Sequence, residues 1–326
     1  MGRRLSITGV LVAVAATASA EVPATHVRLV LPWRHQAQFA GYYAALKHGL
    51  YAQDGLDVTI VGGGPGRDAV ELVRGGQADV AVLPLSAALL AREHGGPVVN
   101  VAQVVNRSNL MLVAWRNRGI RRLKDLEGRR VSMWQEELSA PFLDFFGEEG
   151  IKPIFVPQYF SVELFLRRGV DACAAMEYNE YHGILQAGVD PSQLTVARLR
   201  DAGFGIPEDG LYCLESVARG NPYVVARFAA ASLAGWRWVA DHQDEALDLT
   251  MEYLRHDHVP GNRSHMRWML TTLLPSIFPS AGDQWTFGRL RHEDYDRTLA
   301  RLTDHGVVHL NLPFEVFCWS TETHAP

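Results

Sequence analysis

Trp33-Arg34-His35-Gln36-Ala37-Gln38-Phe39 gathers two aromatic rings, a guanidinium, an imidazole and two carboxamides into one short segment. A plain strand-to-helix turn needs far less large polar chemistry. Trp33 and Phe39 offer ring faces for stacking, and His35, Gln36 and Gln38 offer directed hydrogen bonds. Tyr42, at the start of the apolar spacing that follows, is grouped with them. A second cluster, Glu177-Tyr178-Asn179-Glu180, sets two acids around a phenol and an amide. Two acids in such a place read hydrogen-bond donors. Trp134-Gln135 repeats the pairing of indole and amide, and Ser86 adds a hydroxyl. Gly62-Gly63-Gly64-Pro65-Gly66, followed by Arg67, joins an expected strand to an expected helix. Backbone N–H groups exposed there favour an anionic or polar substituent. Together these groups suit capture of a flat polar ring by stacking and a few hydrogen bonds.

Bond-breaking chemistry is less well provided for. A decarboxylase or hydrolase built on His35 and Glu180 needs a nucleophile or a metal set beside them. Ser86, the nearest hydroxyl, has no assignable base. The glycine run lacks the G-x-G-x-x-G spacing with its later acid, and it lacks the P-loop lysine. His256 and His258 stand two apart and do not share a helix face, so they make a poor metal pair. The reading therefore calls for no metal and no cofactor.

The elements that must position these groups follow an alternating pattern. Val27 to Trp33, Leu56 to Val61, Asp79 to Leu83 and Val98 to Val104 read as strands. Between them, Phe39, Tyr42, Tyr43, Leu46 and Leu50, then Ala69, Val70, Leu72 and Val73, then Ala87 to Arg92, read as helices. Asn109 to Trp115 is expected to be a strand leaving this first lobe, with Arg116 to Arg130 as the crossing region. Strand and helix then alternate again through Glu177. The Gly/Pro-rich stretch Gly203 to Gly210 reads as the return, and a helical tail begins at Pro222. Trp236, Trp238, Trp268 and Trp285 in that tail are assigned to core and lobe packing.

Such a pattern predicts an α/β chain with two mostly parallel sheets, one per lobe. The expected division is 21–115 with 211–326 for lobe one and 116–210 for lobe two. Two crossings make a hinge over a cleft, and ligands sit outside the carboxyl ends of the strands. Every cluster named above follows such a strand end.

Residues 1–20 belong to another regime. Arg3 and Arg4, the apolar run Ile7 to Ala16 and the small residues Ala18-Ser19-Ala20 match a cleavable secretory signal peptide. The run is short for a bilayer span. Cleavage would take the formal net charge from −5 to −7, which argues against a nucleic-acid partner. No later segment reads as apolar enough to insert in a membrane. Cys173, Cys213 and Cys318 match no metal spacing. They are expected to be small buried residues, with the pairing of Cys173 and Cys213 left open.

The run from Trp33 to Ala45 resembles the opening motif of the NMT1/THI5-like family of solute-binding proteins. Gly49-Leu50-Tyr51, Gly55-Leu56-Asp57-Val58, the Gly62 to Gly66 loop, Ala78-Asp79-Val80-Ala81, Leu123 to Gly128 and Glu177 to Tyr181 continue the likeness. So do Asn221-Pro222 and Ala231 to Trp236 in the tail. The resemblance implies a type II periplasmic-binding-protein fold and a periplasmic monomer that hands its small-molecule ligand to an inner-membrane ABC permease. It implies a small heteroaromatic ligand, a thiamine-related aminopyrimidine first, with sulfonate, riboflavin or another small compound as alternatives. It further implies Trp33, Gln38 and Phe39 on the first-lobe wall, the Gly62 to Arg67 loop near a polar or anionic substituent, and Glu180 reading an amino group. Related domains also serve membrane kinases as sensors. A pyrimidine-synthase branch of the family is an enzyme, with a cofactor lysine, an active-site histidine and a cysteine-rich motif. Here those positions fall on Leu83, Ala87 and the single Cys213.

Overall fold

The computed structural model describes residues 24–64, 66–135, 139–159 and 161–319. The expected signal peptide, residues 1–20, and Pro65 lie outside the described residues. The chain lays down β1 (Thr25–Val30), β2 (Leu56–Val61), β3 (Val80–Leu83) and β4 (Val98–Gln103), then crosses over. It continues with β5 (Leu110–Trp115), β6 (Arg130–Met133), β7 (Ile154–Pro157), β8 (Ala172–Met176) and β9 (Leu194–Arg198), and returns with β10 (Gly210–Leu214).

These strands make two five-stranded sheets, ordered β2-β1-β3-β10-β4 and β7-β6-β8-β5-β9. In the first, β1 pairs parallel with β2 and β3, and β10 runs antiparallel between β3 and β4. The second repeats the plan, with β5 as the antiparallel strand between β8 and β9. Each lobe thus receives its reversed strand from the chain just after a crossing. All six residues of β5 are buried, as expected of a strand covered on both faces.

This placement corrects the expected lobe boundaries. β5, read as leaving the first lobe, is an interior strand of the second, with Leu110 opposite Met176 and Trp115 opposite Leu194. The first crossing therefore lies at residues 104–109. The apolar run of β5 would suit either sheet, and only its pairing decides. Arg116 to Arg130, read as the crossing, instead belongs to lobe two, as 3-10 turns and loops that lead into β6 at Arg130. There Arg118 holds Asp171 at 2.7 Å and Arg122 holds Asp125 at 3.2 Å.

In the first lobe, α1 (Ala40–Lys47), α2 (Leu50–Gln53), α3 (Ala69–Arg74) and α4 (Leu85–Glu93) follow the strands. The second lobe has α5 (Ala140–Glu148), α6 (Glu163–Leu166) and α7 (Glu180–Gln186). After β10 come α8 (Glu215–Gly220), α9 (Pro222–Asp241), α10 (Gln243–His256), α11 (Arg263–Ile277), α12 (His292–Asp304) and α13 (Phe314–Phe317). Pro222 opens α9 where no N–H is required, and Val225, Phe228, Ser232, Trp236 and Val239 form its buried face. That face lies on α1 at a very close crossing, where Gly235 meets the backbone of Gly41.

The lobes are also braced away from the hinge. Buried Asp144 of α5 meets Arg301 of α12 at 3.4 Å and His305, just past that helix, at 2.7 Å. Cys173 and Cys213 are buried free thiols on β8 and β10, one in each sheet, and Cys318 is also free. Among the described residues no helix is long and apolar enough to cross a membrane.

Candidate ligand-binding cleft

A cavity opens between the lobes where the crossings pass, with about 700 Å³ of empty space when its mouth to solvent is included. Pro32, Trp33, Gln36 and Gln38 after β1, and Pro84 and Ser86 after β3, form the first-lobe wall. Trp134 after β6, with Met176, Tyr178, Asn179 and Glu180 at the end of β8, forms the opposite wall. The return crossing, Ile206 to Asp209, supplies the floor. Trp33 touches hydrophobic residues of both lobes, and Tyr178 reaches from lobe two into the core of lobe one. An outer compartment, about 1600 Å³ with the solvent it opens to included, shares Trp33 and Trp134 and is rimmed by Gly64, Arg67, Gln135, Gln158 and Tyr159.

Three carboxyl groups dominate the inner cavity, Glu208 and Asp209 buried and Glu180 largely so, and none faces a cation there. Glu180 accepts from the Met176 N–H at 2.9 Å and the Asn179 amide at 2.7 Å. Burial outweighs these bonds and pushes its pKa up to about 7. Asp209 accepts from Gln38 at 2.7 Å, and burial again pushes it up, to about 6. Gln38 is held in turn by the amide of Gln36. Glu208 accepts from the backbone and side chain of Asn109, and burial together with neighbouring Asp209 raises it to about 8. No lysine, arginine or histidine lines the inner cavity among the described residues.

The structure thus brings Trp33, Gln36, Gln38, Ser86, Trp134, Tyr178, Asn179 and Glu180 together, and puts Gly64, Arg67 and Gln135 in the outer compartment. Other expected site residues lie elsewhere. His35 is 3% exposed and turned away from the cleft, bonded to Tyr43 and Asp257 at 2.9 Å each and stacked on Tyr253. Burial keeps its pKa below the usual imidazole value in spite of Asp257. Phe39 and Tyr42 are buried in the first-lobe core, Tyr42 edge-on to Trp236. The Trp33–Phe39 segment is a run of bends and a 3-10 turn, so its side chains diverge instead of sharing a face.

Glu177 is also withdrawn. It ion-pairs with Arg198 at 2.6 Å and Arg200 at 2.9 Å, which hold its carboxyl below the usual range against its burial. Gly62 and Gly63 are packing glycines. A Cβ on Gly62 would lie 3.2 Å from the His35 ring, and one on Gly63 would lie 2.0 Å from the Leu31 carbonyl. The Gly63 N–H already donates to the Trp33 carbonyl, at 3.0 Å. Asp68 caps α3 by accepting from Val70 and Glu71, so that helix start already has its carboxylate. The expected anion contact at the loop thus reduces to exposed Arg67. Glu208 and Asp209, within the stretch read only as the return crossing, were missed; acids beside a crossing that must floor the cleft were the available signal.

The reassignment of His35 gives a test. His35→Ala is expected to lower unfolding stability by about 1–3 kcal/mol, the cost of unsatisfied buried partners, with ligand affinity nearly unchanged. Urea unfolding alongside calorimetric titration reads both, and a lost affinity at unchanged stability would return His35 to the site.

Two mostly parallel sheets facing each other across a cleft, joined by two crossings, define a type II periplasmic-binding-protein fold. The alkanesulfonate-binding protein SsuA from Xanthomonas axonopodis pv. citri, solved bound to MOPS, shares it with a TM-score of 0.67 and 16% identity, over 92% of this chain and 99% of that one. The chain belongs to the NMT1/THI5-like family, whose model matches residues 36–246. It is 25% identical to the formylaminopyrimidine-binding protein of Halalkalibacterium halodurans, over 89% of this chain and 88% of the relative. It is also 25% identical to the riboflavin-binding protein RibY of Chloroflexus aurantiacus, over 85% and 82% of the two chains.

Proposed function

We propose that this protein is the periplasmic solute-binding component of an ABC importer and captures a small amino-bearing heteroaromatic compound, a thiamine-related aminopyrimidine, by closure of the cleft. The observation that carries this reading is the inner cavity itself. Glu180, Glu208 and Asp209 face one small space bounded by Trp33 and Trp134, with no cation among them. A flat ring bearing amino groups supplies N–H donors to the carboxylates and π faces to the indoles. The formylaminopyrimidine-binding relative, aligned over nearly its whole length, supports the same ligand class. Captured solute passes to an inner-membrane permease, and the working unit is a monomer.

A sulfonate fits the inner cavity poorly, because its negative charge would meet three acids and no base. A flavin is the second reading, since Trp33 and Trp134 also line a larger outer compartment. The enzymatic reading loses its proposed base with His35. The positions that the resemblance assigns to the synthase lysine and histidine are Leu83 and Ala87, both buried aliphatic residues.

The test is a thermal-shift screen of protein stripped of co-purified solute. The panel holds 4-amino-5-hydroxymethyl-2-methylpyrimidine, thiamine, riboflavin, taurine and the nucleobases. A ligand at a hundred times its dissociation constant adds about 2.7 kcal/mol of stability. The pyrimidine is expected to raise the midpoint and taurine to leave it unchanged. A shift with riboflavin alone selects the flavin reading, and a shift with taurine alone overturns the carboxylate argument.

A further inference from the structure

The amide that orients Glu180 is itself held from the opposite lobe. Asn179 stands at the end of β8 and donates from Nδ2 to Glu180 Oε1 at 2.7 Å. Its Oδ1 lies 2.8 Å from His265 Nε2, on α11. A carboxamide oxygen can only accept, so His265 Nε2 carries the hydrogen. Nδ1 of the neutral ring is then bare, and it lies 2.8 Å from His182 Nδ1 on α7, which must donate. The hydrogen bonds therefore run in one direction, from His182 through His265 and Asn179 to Glu180.

This chain crosses the cleft between the lobes. His182, Asn179 and Glu180 belong to the second lobe. His265 belongs to α11, which is rooted in the first-lobe core through Met266, Met269, Leu270 and Leu273. The histidine rings lie 6° from parallel, and His182 stacks flat on Trp268 with centroids 4.6 Å apart. Trp268, one turn beyond His265, donates to the Glu177 carbonyl at 3.1 Å. Burial holds His265 well below the usual imidazole range, at about 4, which keeps the ring neutral and the chain in this sense.

We propose that His265 is a positioning residue for ligand recognition: it fixes the amide of Asn179 from the first lobe, and so completes the Glu180 acceptor only when the lobes are closed. The inference rests on the ligand reading given above. An amide turned by half a rotation has nearly the same shape but presents oxygen to Glu180 instead of N–H. With His265 in place that rotamer is disfavoured, because two donors would then face each other. Any separation of the lobes removes the His265 donor and frees Asn179 to turn. Recognition of a donor-bearing ring is thereby tied to closure.

Two measurements test this. Long-range ¹H–¹⁵N NMR of the protein held closed by whichever solute the thermal-shift screen identifies reads the histidine tautomers, with His265→Gln assigning the signals. Hydrogen on Nε2 of His265 and on Nδ1 of His182 is expected at neutral pH. Hydrogen on Nδ1 of His265 in that closed state overturns the proposal, whichever solute closes it. Calorimetric titration with 4-amino-5-hydroxymethyl-2-methylpyrimidine then compares variants whose folding is checked by circular dichroism. His265→Leu is expected to weaken binding about tenfold, the worth of a hydrogen bond to a charged acceptor's partner. His265→Gln, whose amide N–H can reach Asn179, is expected to restore most of it. In a Glu180→Gln background, His265→Leu should add nothing. Equal losses in the Leu and Gln variants, or a full loss in the Glu180→Gln background, reduce His265 to lobe packing and overturn the proposal. A wild-type protein that ignores the pyrimidine sinks the ligand reading, while the tautomers still judge His265.

Discussion

Glu180→Gln is expected to weaken pyrimidine capture by between about tenfold and a hundredfold, and at the same time to stabilise the empty protein at alkaline pH. Both effects come from one buried carboxyl. A carboxylate accepting from ligand N–H groups contributes about 1.5–3 kcal/mol, and a neutral amide in its place turns an NH₂ toward those donors or accepts more weakly. The same carboxyl costs the empty fold. Its pKa is about 7 in the folded state against 4.5 as its ordinary value. Between those values the folded protein holds a proton that the unfolded chain has released, so stability falls as pH rises through the window. At about 1.4 kcal/mol per unit, the cost is on the order of 3 kcal/mol above pH 7 and vanishes below pH 4.5. Asp209, at about 6, and Glu208, at about 8, act in the same direction.

Urea unfolding at pH 5 and pH 8.5 reads the prediction. Wild type should lose stability between the two, and Glu180→Gln should lose less. A variant that binds like wild type removes Glu180 from the site. A variant no more stable at pH 8.5 shows that the buried carboxyl carries no such cost.

The second large effect is far from the ligand. Gly235→Ala is expected to destabilise the protein by about 3 kcal/mol, although alanine is the better helix former by about 1 kcal/mol. An added Cβ would lie 2.1 Å from the Gly41 carbonyl oxygen and 2.8 Å from the Ala45 Cβ. Neither is the end of a flexible side chain, so α1 and α9 would have to separate. Gly41 faces the matching demand, since its Cβ would lie 2.3 Å from the Trp236 ring. A midpoint lowered by about 5–10 °C is the expected thermal signature. An unchanged midpoint would mean that the helices do not approach as closely as the glycine pair requires.

The legibility of this chain in its sequence depended on periodicity. β2 was read with its observed bounds, Leu56–Val61, because apolar and polar residues alternate there. α9 was read from Val225, Phe228 and Trp236 at helical spacing. Where periodicity ends, the reading lost its way. Trp33 to Phe39 was recognised as chemically unusual, but without a regular element nothing separated cleft-facing Gln36 and Gln38 from inward-facing His35 and Phe39. Glu177 and Glu180 are alike in sequence, and only the arrival of Arg198 and Arg200 from β9 and the turn after it distinguishes a structural acid from one that lines the cleft. Glu208 and Asp209 were passed over because a Gly/Pro-rich stretch reads as a connection. Their importance comes from where two crossings meet, which is a property of the whole fold. The assignment of β5 to the second sheet is of the same kind.

The exchange of β5 and β10 between the sheets also dictates an order of assembly. The five strands of the second lobe are contiguous, from Leu110 to Arg198, and can pair among themselves as soon as that stretch is available. The first lobe cannot do so. Its β3 ends at Leu83, and the neighbour that must sit between β3 and β4 begins only at Gly210. Closing that gap spans the whole of the other lobe, a long loop whose closure slows folding more than it weakens the final state. A chain made from its N-terminus therefore keeps its first half unsealed until its second half exists.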